Sequence, residues 1–138
     1  MPLHLLAQDA EDLAVLSAAL QDAVGKLGDI AYDPRARTLT LQLNRYRWED
    51  GRKKERVRTA LQLGGVLSVR SRGVRQGAPA AVVELLSLRF EPGPDAPGGA
   101  VVLTLAGDGE LRAEVEALDA LLTDVSDPWP ARRAPSHG

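Results

Sequence analysis

Cysteine is absent from the 138-residue chain, which excludes a disulfide framework, a thiolate zinc site, an iron–sulfur cluster and a thiol nucleophile. Histidine is almost absent. His4 and His137 stand near opposite ends of the sequence, so a transition-metal site would have to be built from carboxylates alone, and the commonest general base is missing from the interior of the chain. Asp108-Gly109-Glu110 carries ligands but not the loop length of a calcium-binding hand. No Gly-x-Ser-x-Gly elbow and no Ser-x-x-Lys pair occurs, and neither Gly64-Gly65 nor Gly98-Gly99 has the glycine register of a phosphate cradle. An enzyme is therefore not expected, and neither a metal nor a cofactor is called for. Nowhere do about 18 apolar residues follow one another, and Met1 to Asp9 lacks the positive lead and apolar core of a secretory signal. The expectation is a cytoplasmic protein without a membrane span.

What is present is an uneven distribution of charge. The net charge of −2 divides into −5 for residues 1–34, +9 for 35–75 and −6 for 76–138. A basic middle between acidic ends bears on partners and self-association, because opposite charges steer encounters, and says nothing about fold.

Hydrophobic spacing gives the elements. Leu13, Leu16, Leu20 and Val24 lie on one helical stripe, with Asp9 in the N-cap place and acids in the first turn, so a helix is predicted over Ala10 to Val24. From Ile30 the period becomes two. Ile30 and Tyr32, a turn at Asp33-Pro34, then Leu39, Leu41 and Leu43 predict a hairpin. Arg45 and Arg47 fall in the phase of these leucines, which predicts a bulge near Asn44 or departure of the strand from the core. The segment Glu49 to Glu55 reads as a charged loop. Val57, Leu61 and Leu63 read as a strand, with a helix over 56–63 as the competitor, and after Gly64-Gly65 a second strand follows over Val66 to Val69. Ala81 to Phe90 is apolar in both phases and reads as a central strand. Pro92 to Gly99 is a loop, and Ala100 to Ala106 is the last strand. Leu111, Val115, Leu118 and Leu122, spaced 4, 3 and 4, predict a second helix, with Glu110, Glu114 and Asp119 on its polar side. No internal repeat is visible.

This order predicts an α+β fold: an N-terminal helix, about six mostly antiparallel strands in a curled sheet, and a C-terminal helix packed on that sheet. One domain would span residues 1–126, and residues 127–138 read as a flexible tail. The uncovered face of the sheet would be solvated, closed as a small barrel, or covered by a second copy.

The basic middle is the feature that can carry function. Arg45, Arg47, Arg56, Arg58, Arg70 and Arg72, with Arg52, Lys53, Lys54 and Arg75, surround Tyr46 and Trp48. Guanidinium groups beside aromatics suit an acidic protein surface or a single nucleic-acid strand, and strand alternation would align Arg56 with Arg58 and Arg70 with Arg72. The bland alternative is that these cations neutralise acids of the same domain. Trp48 either caps the core or is exposed for recognition, and Trp129, between two prolines, is a tail anchor or disordered. The favoured reading is a non-catalytic interaction module that contacts an acidic partner or a second copy through Arg45, Tyr46, Arg47, Trp48, Arg56, Arg58, Arg70 and Arg72. The alternative is a pleckstrin-like or nucleic-acid-binding module using Arg45, Tyr46, Arg47 and Trp48; the acidic pI of about 5.7 disfavours nucleic acid. Both readings require the arginines to gather on one exposed patch.

Ser17 to Val24, Leu43 to Trp48, Arg58 to Leu61 with Val66 to Gly73, and Gly107 to Glu116 leading to Asp127-Pro128-Trp129 together resemble an uncharacterised bacterial family, domain of unknown function 2948. The resemblance covers residues 5–129. It implies an alphaproteobacterial, cytoplasmic origin and brings with it no activity, cofactor or catalytic residue.

Overall fold

The structure, a computed structural model, describes residues 3–48, 54–74 and 77–131. Eleven strands, one α-helix and one 3-10 turn follow in the order β1 (His4–Ala7), α1 (Ala10–Leu20), β2 (Ala23–Lys26), the turn Leu27–Asp29, β3 (Ile30–Asp33), β4 (Thr38–Tyr46), β5 (Glu55–Leu63), β6 (Val66–Arg72), β7 (Val82–Pro92), β8 (Gly99–Leu105), β9 (Gly109–Val115), β10 (Ala120–Asp124) and β11 (Trp129–Pro130). Strand accounts for 57% of the described residues and helix for 11%. The expected α+β fold is thereby corrected to one large antiparallel sheet carrying a single helix.

The sheet runs β1-β10-β5-β4-β2-β7-β8-β9-β6, with β3 added to β4 and β11 to β5. Two corners curl it. β5 leads into β6 through Gly64-Gly65, and β9 leads into β10 through residues 116–119. β5 pairs with β10 and β6 with β9. At the corner the Gly64 amide donates to the Asp119 carbonyl and the Glu116 amide to the Gly65 carbonyl, both at 2.9 Å. The four strands are thus one bent antiparallel ribbon, and the pairings β4·β5, β9·β8, β8·β7, β7·β2 and β2·β4 join its two arms into a ring. Strands that switch sheets at a bend are the usual way to build such corners. Gly65 sits there at φ +63°, a conformation that costs a residue with a side chain.

The predicted second helix does not exist. Leu111, Ala113 and Val115 are buried from β9 and Ala120 and Leu122 from β10, while Leu118 is buried between the two strands. Two runs of period two, offset by the three-residue step from Val115 to Leu118, reproduce the 4, 3, 4 spacing of a helical stripe. The two alanines, which hold the strand phase, carry little hydrophobic weight and leave the pattern ambiguous.

Helix α1 forms where its sequence places it but stops at Leu20. The Asp9 side chain accepts from the Asp12 amide at 2.8 Å, capping the N-terminus. Leu13, Leu16 and Leu20 are buried, each worth about 1.5–3 kcal/mol of apolar burial, and the helix packs chiefly on β7, β1 and β4. Asp22 then takes φ +63° and its amide donates to the Leu85 carbonyl at 2.8 Å, turning the chain into β2. Val24 therefore serves a strand and not the last turn of a helix. Ser17 Oγ accepts from the Leu88 amide at 2.9 Å, beside the register shift of β7 between Leu85 and Ser87. That shift explains why Leu85 and Leu88 are both buried while Leu86 is exposed.

Candidate functional site

Arg45 lies in the phase of Leu39, Leu41 and Leu43, and the structure buries it with them: the β4·β5 register runs unbroken from Leu39 opposite Leu63 to Tyr46 opposite Arg56. Neither a bulge near Asn44 nor a departure from the core occurs. The Arg45 side chain is 0% exposed and the Asp124 carboxylate 2%. The contact is bidentate, Nε to Oδ1 at 2.9 Å and Nη2 to Oδ2 at 2.7 Å, and Arg45 Nη1 also donates to the Tyr46 carbonyl at 3.3 Å. Asp124 Oδ2 accepts from the Leu3 amide at 2.8 Å. This fork fastens β4, β10 and the N-terminal segment into one core.

The neighbouring residues are also engaged. Tyr46 is 7% exposed and meets Trp48 edge to face, ring centroids 4.7 Å apart. Trp48 Nε1 donates to the Gln21 carbonyl at 3.3 Å, and Arg47 pairs with Glu55 at 2.7 Å. Arg56 Nη1 donates to the Asn44 carbonyl at 3.2 Å. Arg58 pairs with Asp29 at 2.9 Å and donates to Asn44 Oδ1 and Gln42 Oε1. Lys54 is exposed, while Arg52, Lys53 and Arg75 lie outside the described residues. Trp129 extends the sheet as β11 beside Arg56 of β5; residues 132–138 of the predicted tail lie outside the described residues. The basic middle is thus divided between a core pair, a paired ladder on β4 and β5, and the far edge strand β6.

On β6 and its neighbours four arginines share three carboxylates. Arg112 holds Glu91 at 2.8 Å and Glu114 at 3.2 Å, and Arg89 holds Glu91 at 3.1 Å. Arg70 reaches Glu114 at 3.3 Å and Arg72 reaches Glu110 at 3.7 Å, each with its side chain 71% exposed. The better-placed contacts go to Arg112 and Arg89, so the unbalanced positive charge falls on Arg70 and Arg72.

The hydrogen bonds from Arg112 and then Arg89 hold the Glu91 carboxyl below the ordinary carboxylate range, and Glu91 and Glu114 raise Arg112 in turn. A carboxyl whose folded pKa lies below its unfolded value contributes stability above the unfolded value, which is lost as pH falls through the folded pKa. Glu91→Gln is therefore expected to flatten the acid limb of the melting temperature against pH below about 4.5. Parallel limbs for the two proteins would show that the network does not couple to folding.

Behind β6 lies a cleft of about 440 Å³; among the described residues its walls, Leu27, Ile30, Tyr32, Leu39, Val69 and Leu111 with others, carry no charge. Tyr32, one of the lining residues, donates its hydroxyl to the Val66 carbonyl at 3.0 Å, and the Val66 amide donates to the Arg37 carbonyl at 2.8 Å. Arg37 is itself paired with Glu116. Sequence reasoning placed none of these residues at a site, since their only signal is apolar periodicity, which core and cleft share. Among the described residues no group of three His, Cys, Asp or Glu is arranged to hold a metal ion, and no helix is long and apolar enough to cross a membrane.

These features define a small antiparallel β-domain, curled about one helix, with an apolar cleft beside an arginine-bearing edge strand. The chain belongs to the family described as Protein of unknown function (DUF2948), whose profile matches residues 3–137. No curated protein and no solved structure matches it.

Proposed function

We propose that the chain is a non-catalytic binding module of the bacterial cytoplasm that meets an acidic protein partner through β6, with Arg70 and Arg72 at the contact. The observation that carries this reading is the four-to-three imbalance of arginines and glutamates around β6, which leaves its two most exposed guanidinium groups with only the longer ion pairs. The other residues singled out by the sequence play a different part. Arg45, Tyr46, Arg47, Trp48, Arg56 and Arg58 hold β4 against β5, β10 and the turn after α1, and so set the frame on which β6 is displayed.

The test is a titration of labelled oligo-glutamate and, separately, of single-stranded RNA, each at low and at physiological salt. Oligo-glutamate is expected to bind, and the double variant Arg70→Glu/Arg72→Glu to weaken it at least about tenfold. The melting temperature should fall by only a few degrees, since exposed ion pairs are worth about 0.2–1 kcal/mol each. An unfolded double variant would make the two arginines structural. Tighter binding of RNA with a steep salt slope would replace the acidic protein by a nucleic acid.

A further inference from the structure

β2 is paired with β4 through Val24 and Asn44. The chain then leaves β4 through the turn Leu27–Asp29 and returns to it as β3, where Ile30 faces Leu41. Beside this detour lies a depression of about 400 Å³ whose walls include Val24, Lys26, Asp29, Asn44, Arg58 and Val82. Val24, Asn44 and Arg58 stand in one row across β2, β4 and β5, and Val82 of β7 stands opposite Lys26. Arg58 is held from three sides: Nη1 donates to Asn44 Oδ1 at 3.2 Å, and Nη2 to Asp29 Oδ2 at 2.9 Å and to Gln42 Oε1 at 3.3 Å. The Asp29 carboxylate thus answers the charge of Arg58. Lys26 is exposed and has no ion-pair partner among the described residues, so the depression carries one surplus positive charge. Asn44 turns Oδ1 to Arg58, which leaves the two hydrogens of its Nδ2 for another acceptor. Val82 is 73% exposed, a large apolar side chain in the wall of a polar site.

We infer that this depression binds a small organic monoanion, a carboxylate on a compact apolar body. The carboxylate lies between the Lys26 ammonium and the Asn44 amide, and the body covers Val24 and Val82. Charge decides the first half of the ligand. One surplus cation takes one negative charge; a second would meet the carboxylate of Asp29, and a metal cation would meet Lys26 and Arg58. Packing decides the second half. A body that covers the two valines removes apolar surface from water, worth about fourfold in affinity for each methylene buried. Arg58, already fixed by three acceptors, loses little freedom when the ligand arrives, so its field is in place beforehand. The carboxylate of Glu84, opposite Val24 on β7, is not part of the lining. The site is built on β2, β4, β5 and β7 and shares no residue with the β6 contact, so either reading can fail alone.

The experiment is a titration of the isotope-labelled full chain with isovalerate, benzoate and lactate, followed in its amide spectrum at constant ionic strength. Each is set against its neutral amide, isovaleramide, benzamide or lactamide, and inorganic phosphate serves as an anion without an apolar body. At least one carboxylate is expected to give saturable shifts at Gly25, Lys26 and the Asn44 side chain, with its amide and phosphate at least about tenfold weaker. Lys26→Met should weaken that carboxylate at least about tenfold, and Val82→Ser about fourfold. Lys26→Gln replaces the first variant if it fails to fold. Phosphate binding as tightly as every carboxylate would reduce the site to a bare charge and overturn the inference. Carboxylate binding that survives loss of the Lys26 charge, or no saturable shift with any of the three up to about 10 mM, would do the same.

Discussion

Asp124→Ala is expected to remove about 3–5 kcal/mol of stability, because it takes from the fully buried guanidinium of Arg45 the carboxylate that holds it through two nitrogens. Single domains hold only about 5–15 kcal/mol in all, so this one change should bring the protein near the limit of folding. The same carboxylate accepts the Leu3 amide, so its loss also removes one tie of the N-terminal segment to β10, leaving the backbone pairing of β1 with β10. Chemical denaturation measures the effect. A loss below about 1 kcal/mol, the scale of exposed pairs, would mean that water reaches Arg45 and that the pair is not the core feature described above. The double variant Arg45→Met/Asp124→Leu should recover much of the loss, since a buried ion pair replaced by apolar groups of similar size is often neutral. Full recovery is not expected, because the Leu3 amide loses the carboxylate that accepts from it.

Gly99→Ala is the second large effect. A Cβ at this first residue of β8 would stand 2.4 Å from the Glu91 carbonyl oxygen and 2.6 Å from Cζ of Phe90. The ring can turn, but the carbonyl belongs to the facing strand, where Glu91 and Pro92 pair with Ala100 and Gly99. Relief requires the β7·β8 ladder to open, at a cost of about 3 kcal/mol, the upper part of the usual overpacking range. Equilibrium unfolding checks this, and a variant as stable as the parent would show that the hairpin end spreads freely.

Much of the fold was legible from spacing alone. The leucines of β4, the apolar phase of β5, the break at Gly64-Gly65 and the stripe Leu13, Leu16, Leu20 all lie where periodicity put them, because each period reports directly on one buried face. The second helix was misread for a definite reason. Leu111, Val115, Leu118 and Leu122 satisfy a helix and a bent pair of strands equally, and nothing local separates the two. Only the partner strands β5 and β6, which take up the backbone groups of β10 and β9, decide between them.

The arginines show the same limit from the side of charge. Arg45 in a leucine phase reads locally as an interruption. Asp124, 79 residues away, converts it into a core residue, and no pattern near Arg45 announces that carboxylate. By contrast, the pairing of Arg70 and Arg72 on one face followed from strand alternation. Their side chains are more exposed than that of Arg112 on the neighbouring β9 because β6 ends the sheet, a property of strand order and not of composition.

The amino-acid order by itself determined the absence of thiol chemistry, the basic middle, the helix beginning at Ala10 and most of the strands, because composition and local period act within a few residues. The tertiary structure decided which cations are buried, paired or exposed, where the apolar surface opens into a cleft, and that one apparent helix is two strands. Those outcomes depend on contacts between residues far apart in the chain, whose energies no local pattern encodes.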